Sequence, residues 1–180
     1  MKKKLTLLIK ASLVMLLAFF YATRSNAQCA PDITFPTITC PADVTVNADN
    51  GTCAATNVAL GAPVTNDNCG VAGVSNNAQA SYNVGTTVVT WTVTDVNGNT
   101  ATCTQNVTVV DNQNPTITCP ASVTVNADNG ACAATGVSLG TPTTGDNCGV
   151  ASTTNNAPSS FPVGTTTVTW TVTDVNGNSA

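Results

Sequence analysis

The chain has 180 residues and a formal net charge of −4, and only 8% of its residues are charged. All five Lys and Arg residues lie within the first 24 positions, whereas the nine acidic residues are all Asp and begin at Asp32. Nucleic-acid binding is excluded, because phosphate contacts need cationic side chains. His, Lys and Glu are absent after residue 24, so the usual groups for acid–base catalysis are missing and we expect no enzyme activity.

Residues 1–27 predict a secretory signal peptide, with a basic start, an apolar stretch at 11–22 and small residues before a cleavage site at Gln28. The apolar stretch has about 12 residues, whereas a membrane-spanning helix needs roughly 20. An uncleaved membrane anchor and a lipid on Cys29 are the alternatives. We expect export to the cell surface or medium, with residues 28–36 as an N-terminal linker and no membrane span after cleavage.

A unit of 79 residues then occurs almost twice, because positions 37–101 and 116–180 are identical at 49 of 65 positions. A fixed period indicates an array of folded units. We take 37–114 as repeat 1 and 115–180 as repeat 2. Repeat 2 stops one strand short of repeat 1, which predicts that the chain is a fragment of a longer array. The short linker predicts restricted motion between repeats.

Each repeat predicts short β-strands, and no helical periodicity follows the leader. Alternation begins near Ile38 and is cleanest in Thr86–Asp95, where two Val side chains and a Trp share one face. An Asn-Gly turn leads to Ala101–Val109, which places Cys103 on the same face as two valines. Several short strands with frequent turns predict an all-β fold of the β-sandwich type.

Seven of the eight cysteines lie in the repeats, and an exported protein favours disulfides. Zinc is the alternative, but no CxxC spacing or His is present. Four cysteines in repeat 1 allow three pairings, and we expect Cys40 to pair with Cys103 because both occupy inward positions of the first and last strands. Cys29 has no counterpart in the repeat. The expected disulfides are Cys40–Cys103, Cys53–Cys69 and Cys132–Cys148, with Cys119 lacking a partner.

Several spaced motifs carry a resemblance to a known family. They are Ile38–Pro41, Thr65–Asn68, Val84–Thr87, Val93–Asn99, Cys103 with Val107 and Val109, and, in repeat 2, Phe161–Thr165. The repeats resemble the hyalin repeat (HYR) domain, from which they depart by the additional cysteines at positions 53 and 69. The resemblance implies tandem immunoglobulin-like β-sandwich domains in an adhesion-associated array like those of bacterial secreted or surface proteins. The second domain departs from the family pattern because its last strand is missing, so we expect it to be truncated. It implies no catalytic residues.

We therefore expect a non-catalytic extracellular structural or adhesion module, in which the repeat array acts as a stalk or a cell-surface adhesin. Its expected partners are the neighbouring repeats and an unknown protein or glycan ligand on a surface. The alternative function is an accessory repeat region of a secreted enzyme whose catalytic domain lies beyond residue 180.

Calcium is the one cofactor that the sequence suggests. The motif DVNGN places side-chain oxygens at alternate positions, and calcium takes six to eight oxygen ligands. Asp and Asn are also favoured in turns without any metal, which is the alternative explanation. The candidate ligands are Asp95, Asn97, Asn99, Asp174, Asn176 and Asn178.

Overall fold

A computed structural model describes residue 29 and residues 31–180. The predicted signal peptide, residues 1–27, lies outside the described residues. Every regular element in the described part is a β-strand, so the fold is all-β with tandem β-sandwich domains, as predicted. A search of these residues for a helix long and apolar enough to cross a membrane finds none.

Repeat 1 is built from strands that alternate with turns rich in Asn, Gly and Pro. Its strands are β1 (Thr37–Thr39), β2 (Val44–Asn47), β3 (Ala54–Thr56), β4 (Val64–Asn66), β5 (Val71–Asn76), β6 (Ser81–Asn83), β7 (Gly85–Asp95) and β8 (Thr100–Val110). The predicted Asn-Gly turn joins β7 to β8. Gly98 has a φ of 94° there, a conformation that residues with a Cβ rarely adopt.

Strand β8 is central to the pairing in repeat 1. One sheet has four strands in the order β2-β8-β7-β5, and two further pairs, β1 with β4 and β3 with β6, are antiparallel. β5 also runs antiparallel to β7, with a register shift between Val71 and Gly73. Because β8 has a neighbour on each side, both β2 and β7 depend on it for hydrogen bonds.

The contacts divide the chain into two compact units that do not coincide with the sequence repeats. Unit 1 comprises the described residues up to Val44 together with Ala59–Gln79 and Val88–Asn106. Unit 2 comprises Thr45–Val58, Ala80–Thr87 and Val107–Ala180. The division falls within β2, β7 and β8.

The interior of unit 1 combines apolar side chains with one buried amide. Val89, Trp91 and Val93 on β7 are buried, as the alternation predicts. Gln105 is fully buried, and its Oε1 accepts a hydrogen bond from Trp91 Nε1 at 3.1 Å. Its Nε2 donates to the carbonyls of Ala42 at 2.6 Å and Leu60 at 2.9 Å. These bonds offset the cost of burying a polar side chain.

Unit 2 contains all the strands of repeat 2. They are β9 (Thr116–Thr118), β10 (Ala133–Thr135), β11 (Thr143–Gly145), β12 (Val150–Asn155), β13 (Ser160–Pro162) and β14 (Trp170–Asp174). β9 pairs with β11, β10 with β13 and β12 with β14, all antiparallel. Only Ser179 and Ala180 correspond to β8, and Ala180 exchanges two backbone hydrogen bonds with Val172, at 2.9 and 3.0 Å.

Two segments of repeat 2 are not strands although their counterparts in repeat 1 are. Residues 123–126 correspond to β2, and residues 164–169 correspond to the first half of β7. Both counterparts hydrogen-bond to β8, which has almost no equivalent in repeat 2. Val123 and Val125 are about half exposed there, and a groove of about 820 Å³ lies between these segments.

Candidate functional site

The predicted disulfide between Cys40 and Cys103 is present in unit 1, with Cα atoms 5.8 Å apart. Cys40 follows β1 and Cys103 lies within β8, so the bond joins the first strand of repeat 1 to its last. In the chain-entropy description, closing a loop of this length contributes about 4 kcal/mol of stability.

The predicted disulfides Cys53–Cys69 and Cys132–Cys148 are wrong. The structure bonds Cys69 to Cys29 and Cys148 to Cys53. Cys53 precedes β3 and belongs to unit 2, whereas Cys69 follows β4 and belongs to unit 1. Each therefore finds its partner within its own unit, at Cα distances of 5.3 Å for Cys29–Cys69 and 4.8 Å for Cys53–Cys148.

The Cys53–Cys148 bond joins the two sequence repeats at a junction formed by residues 49–53, 111–113 and 146–148 of unit 2. Three hydrogen bonds accompany it. They run from Asn147 Nδ2 to the Thr52 carbonyl at 2.8 Å, from Gly51 N–H to Gln113 Oε1 at 2.7 Å, and from Gln113 Nε2 to the Asp49 carbonyl at 3.2 Å. The counterpart of Cys53 in repeat 2, Cys132, is free and exposed, as is Cys119.

Three carboxylates meet beside this junction. Asp111 follows β8, Asp146 follows β11, and Asp174 is the last residue of β14; we call them the C-terminal trio. Each offers an oxygen within 4.8 Å of the other two. Asp111 is only 5% exposed and Asp174 only 2%. Among the described residues, Asp111 Oδ2 and Asp146 Oδ1 are buried and have no hydrogen-bond partner.

The other carboxylate oxygens of the C-terminal trio are held by hydrogen bonds from adjacent turns. Asp111 Oδ1 accepts from Gln113 N–H at 3.1 Å and Asn147 Nδ2 at 3.2 Å, and Asp146 Oδ2 accepts from the N–H groups of Cys148 at 2.7 Å and Gly149 at 2.9 Å. These donors fix the orientation of the carboxylates. These donors are neutral groups, so none of them brings a positive charge to the three carboxylates.

The same arrangement occurs 79 residues earlier in unit 1, at Asp32, Asp67 and Asp95, which we call the N-terminal trio. Their carboxylate oxygens also lie within 4.8 Å of one another. Asp32 Oδ2 and Asp67 Oδ1 are buried without a hydrogen-bond partner in the described part of the chain. The donors correspond as well: Thr34 N–H and Asn68 Nδ2 bond to Asp32, and the N–H groups of Cys69 and Gly70 bond to Asp67.

A comparison with known families agrees with this twofold construction. The model of the HYR domain matches residues 31–109 and again residues 110–180. The chain belongs to the HYR domain family. HYR domains are extracellular or cell-surface modules of the adhesion type, and the family is not known as catalytic. The three disulfides of the described residues fit an oxidising environment.

Each HYR segment contains one complete trio, in which the aspartate at the end of β7 or β14 is held ionised. Burial acts to raise the pKa of Asp95, but hydrogen bonds from the Asn99 side chain and from the N–H groups of Asn99, Asn97 and Gly98 outweigh it and hold that pKa below its ordinary value. The equivalent donors lower the pKa of Asp174 against the same effect of burial. Both groups are therefore carboxylates at neutral pH.

The residues of the DVNGN motif have two different roles in the HYR segments. Asp95 and Asp174 are members of the trios. The asparagines are hydrogen-bond donors: Asn97 and Asn99 donate backbone N–H groups to Asp95 Oδ1, both at 2.8 Å, and Asn99 Nδ2 donates to Oδ2 at 2.7 Å. Asn176 and Asn178 bond to Asp174 at the same three distances.

The sequence prediction of the candidate site did not include four of the six trio residues. They are Asp32, Asp67, Asp111 and Asp146. A partial signal for them exists, because each of these aspartates has a counterpart one period away, whereas Asp43 has Ser122 at its equivalent position. The signal is incomplete, because Asp49 and Asp128 recur in the same way and belong to neither trio. The period does not say which turns meet in space, and so it could not assign them to one cluster with the DVNGN aspartates.

Proposed function

We propose that this chain is a non-catalytic spacer of an extracellular protein, in which disulfide-linked HYR repeats form part of a stalk. The observation that supports this function best is the Cys53–Cys148 bond, which covalently joins one repeat to the next. A stalk has to limit the movement of each repeat against its neighbour. The disulfide and the hydrogen bond from Asn147 Nδ2 to the Thr52 carbonyl, which both join repeat 1 to repeat 2, act in that direction.

Removing the bond tests this proposal. In the Cys53→Ser/Cys148→Ser variant, each repeat keeps its own strands but the covalent link between repeats is lost. We expect small-angle X-ray scattering to give a larger radius of gyration and a broader distribution of interatomic distances than for the oxidised parent protein. The matched control is Cys119→Ser/Cys132→Ser, which also replaces two cysteines but removes no disulfide; its scattering should equal that of the parent.

Identical scattering from the unlinked variant and the parent would refute the spacer function, because the bond would then restrict nothing. An adhesin is the competing function within the same family type. A binding assay of the oxidised protein on cells and on immobilised glycans distinguishes the two. The spacer function predicts no saturable binding, and a saturable signal that the control variant retains would favour the adhesin.

A further inference from the structure

The two aspartate trios each bring three carboxylates together, and the described residues contain no cationic side chain that could neutralise them. Six of the nine aspartates belong to the trios, and the sequence contains no Lys, Arg or His after residue 24. Like charges that are close together and buried destabilise one another unless a cation or a proton intervenes. No Lys, Arg or His side chain lies among the described residues, so a bound cation is the group that would neutralise each trio.

The buried oxygens without partners show where such a cation would lie. Asp111 is nine-tenths buried or more, and its Oδ2 has no hydrogen-bond partner among the described residues. Asp146 is partly buried, and its Oδ1 atom is buried and also has no hydrogen-bond partner among the described residues. Both residues have a carboxylate oxygen within 4.8 Å of one from Asp174. A native protein rarely leaves buried acceptors unsatisfied, and binding of an ion is one of the standard reasons for oxygens without a protein partner.

We propose that each trio binds one calcium ion, with Asp111, Asp146 and Asp174 as ligands in unit 2 and Asp32, Asp67 and Asp95 in unit 1. Calcium–oxygen distances are about 2.3–2.6 Å, so two ligand oxygens of one ion lie at most about 4.6–5.2 Å apart. The trio oxygens satisfy that limit.

The ligand chemistry favours calcium over the other common cations. Zinc is usually bound through His nitrogen or Cys sulfur, and neither trio contains them. Magnesium keeps several of its waters and usually takes only one or two carboxylates, whereas calcium accepts three carboxylates in a flexible geometry. Calcium sites of extracellular modules have dissociation constants on the order of 10⁻⁴–10⁻³ M, the range that we expect here.

Equilibrium dialysis of the oxidised full chain against CaCl₂, after removal of cations by a chelator, measures the number of sites. We expect two ions per chain, and one ion in each of the variants Asp111→Asn and Asp32→Asn. The matched control is Asp128→Asn, which removes the same charge from an exposed residue that bonds to Thr135 and belongs to neither trio. This control should keep both ions, because overall charge does not create the sites.

Thermal unfolding gives an independent readout that separates ligand loss from misfolding. At 10 mM calcium each occupied site should raise the ratio of folded to unfolded protein roughly 10- to 100-fold for dissociation constants in that range. With chelator present, Asp111→Asn should melt no lower than the parent, because it removes one of three repelling charges. Calcium should then stabilise this variant less than the parent.

Three results would overturn the proposal. They are the absence of bound calcium and of any shift in melting temperature up to 10 mM, retention of two ions by Asp111→Asn, and equal stoichiometry and affinity for magnesium. The last result would leave a general divalent site and remove the assignment to calcium.

Discussion

Pulling this protein from its two ends should extend the oxidised chain far less than the reduced chain, because the disulfides provide a covalent shortcut. Force that enters at Cys29 crosses to Cys69, runs back along the chain to Cys53, crosses to Cys148 and leaves towards Ala180. The two bonds have sequence separations of 40 and 95 residues. Most of the chain therefore lies in closed loops that carry no load.

The lengths follow from the residues that remain on this path. About 16 residues separate Cys53 from Cys69 and about 32 separate Cys148 from Ala180, so the stretched oxidised chain should measure about 160–170 Å at roughly 3.3–3.6 Å per residue. The reduced chain has about 151 residues from Cys29 to Ala180 and should reach about 500–540 Å. Reduction should therefore release about 340–370 Å.

Single-molecule force spectroscopy measures these lengths, with handles fused outside residues 29–180 and the free thiols alkylated beforehand to prevent disulfide exchange. The Cys53→Ser/Cys148→Ser variant is the control. Its shortest covalent path uses Cys40–Cys103 and contains about 88 residues, which gives about 290–320 Å. An intermediate length from this variant would show that the measurement follows the covalent path.

Two outcomes would refute the disulfide pattern on which this prediction depends. An oxidised length of about 240–260 Å, or about 72 residues, would indicate bonds within each repeat, including Cys132–Cys148, with Cys29 unpaired. A length that does not change on reduction would mean that no disulfide lies on the load-bearing path at all.

Three further predictions concern single sites. Alkylation of the unfolded, unreduced protein should modify two cysteines, Cys119 and Cys132, and peptide mapping should recover both. Asp43→Ser should destabilise the protein at pH 7 and less so in acid: the N–H and side chain of Asn106 lower the pKa of Asp43, so its contribution is present above the ordinary pKa and is lost as the pH falls through the folded value. A peptide with the sequence of Thr102–Val110 should occupy the groove of repeat 2 and raise its melting temperature, and a scrambled peptide should not.

The sequence predicted the long strands well because alternation is a local property. Thr86–Asp95 and Ala101–Val109 were expected as strands, and the structure has β7 at Gly85–Asp95 and β8 at Thr100–Val110. The same alternation places position 105 on the inward face, yet a buried Gln is hard to predict. Its burial depends on carbonyls of two distant loops, and the order of strands along the chain does not show that those loops converge on it.

Two of the three disulfides and the composition of the trios could not be predicted from the two-residue alternation of the strands. Alternation assigns a residue to a face of a sheet, but it does not say which turns lie at the same end of a sandwich. The pair Cys53–Cys69 was expected because these two cysteines remained in repeat 1 once Cys40 was paired with Cys103, and their partners, Cys148 and Cys29, lie outside that set. The first and last strands of an immunoglobulin-like sandwich were a firmer guide, and they gave Cys40–Cys103 correctly.

The aspartate trios and two of the disulfides differ in whether they stay within one HYR segment. Each trio lies within one HYR match, since Asp32, Asp67 and Asp95 fall in 31–109 and their counterparts fall in 110–180. The thiols behave differently. Cys69 bonds to Cys29, which lies outside the HYR match that contains Cys69. Cys148 bonds to Cys53, which likewise lies outside the match that contains Cys148.

Cys29 and Cys53 are not equivalent positions of the repeat, because one period after Cys29 the sequence has Thr108. Both nevertheless form a disulfide with the same repeat position, which is Cys69 for Cys29 and Cys148 for Cys53. What recurs is therefore the position of one bonded cysteine, Cys69 in the first segment and Cys148 in the second, whereas their partners occupy non-equivalent positions earlier in the chain. Since the carboxylates are internal to each segment and the thiols are not, removal of calcium should loosen individual segments, whereas reduction should unlink one segment from the next.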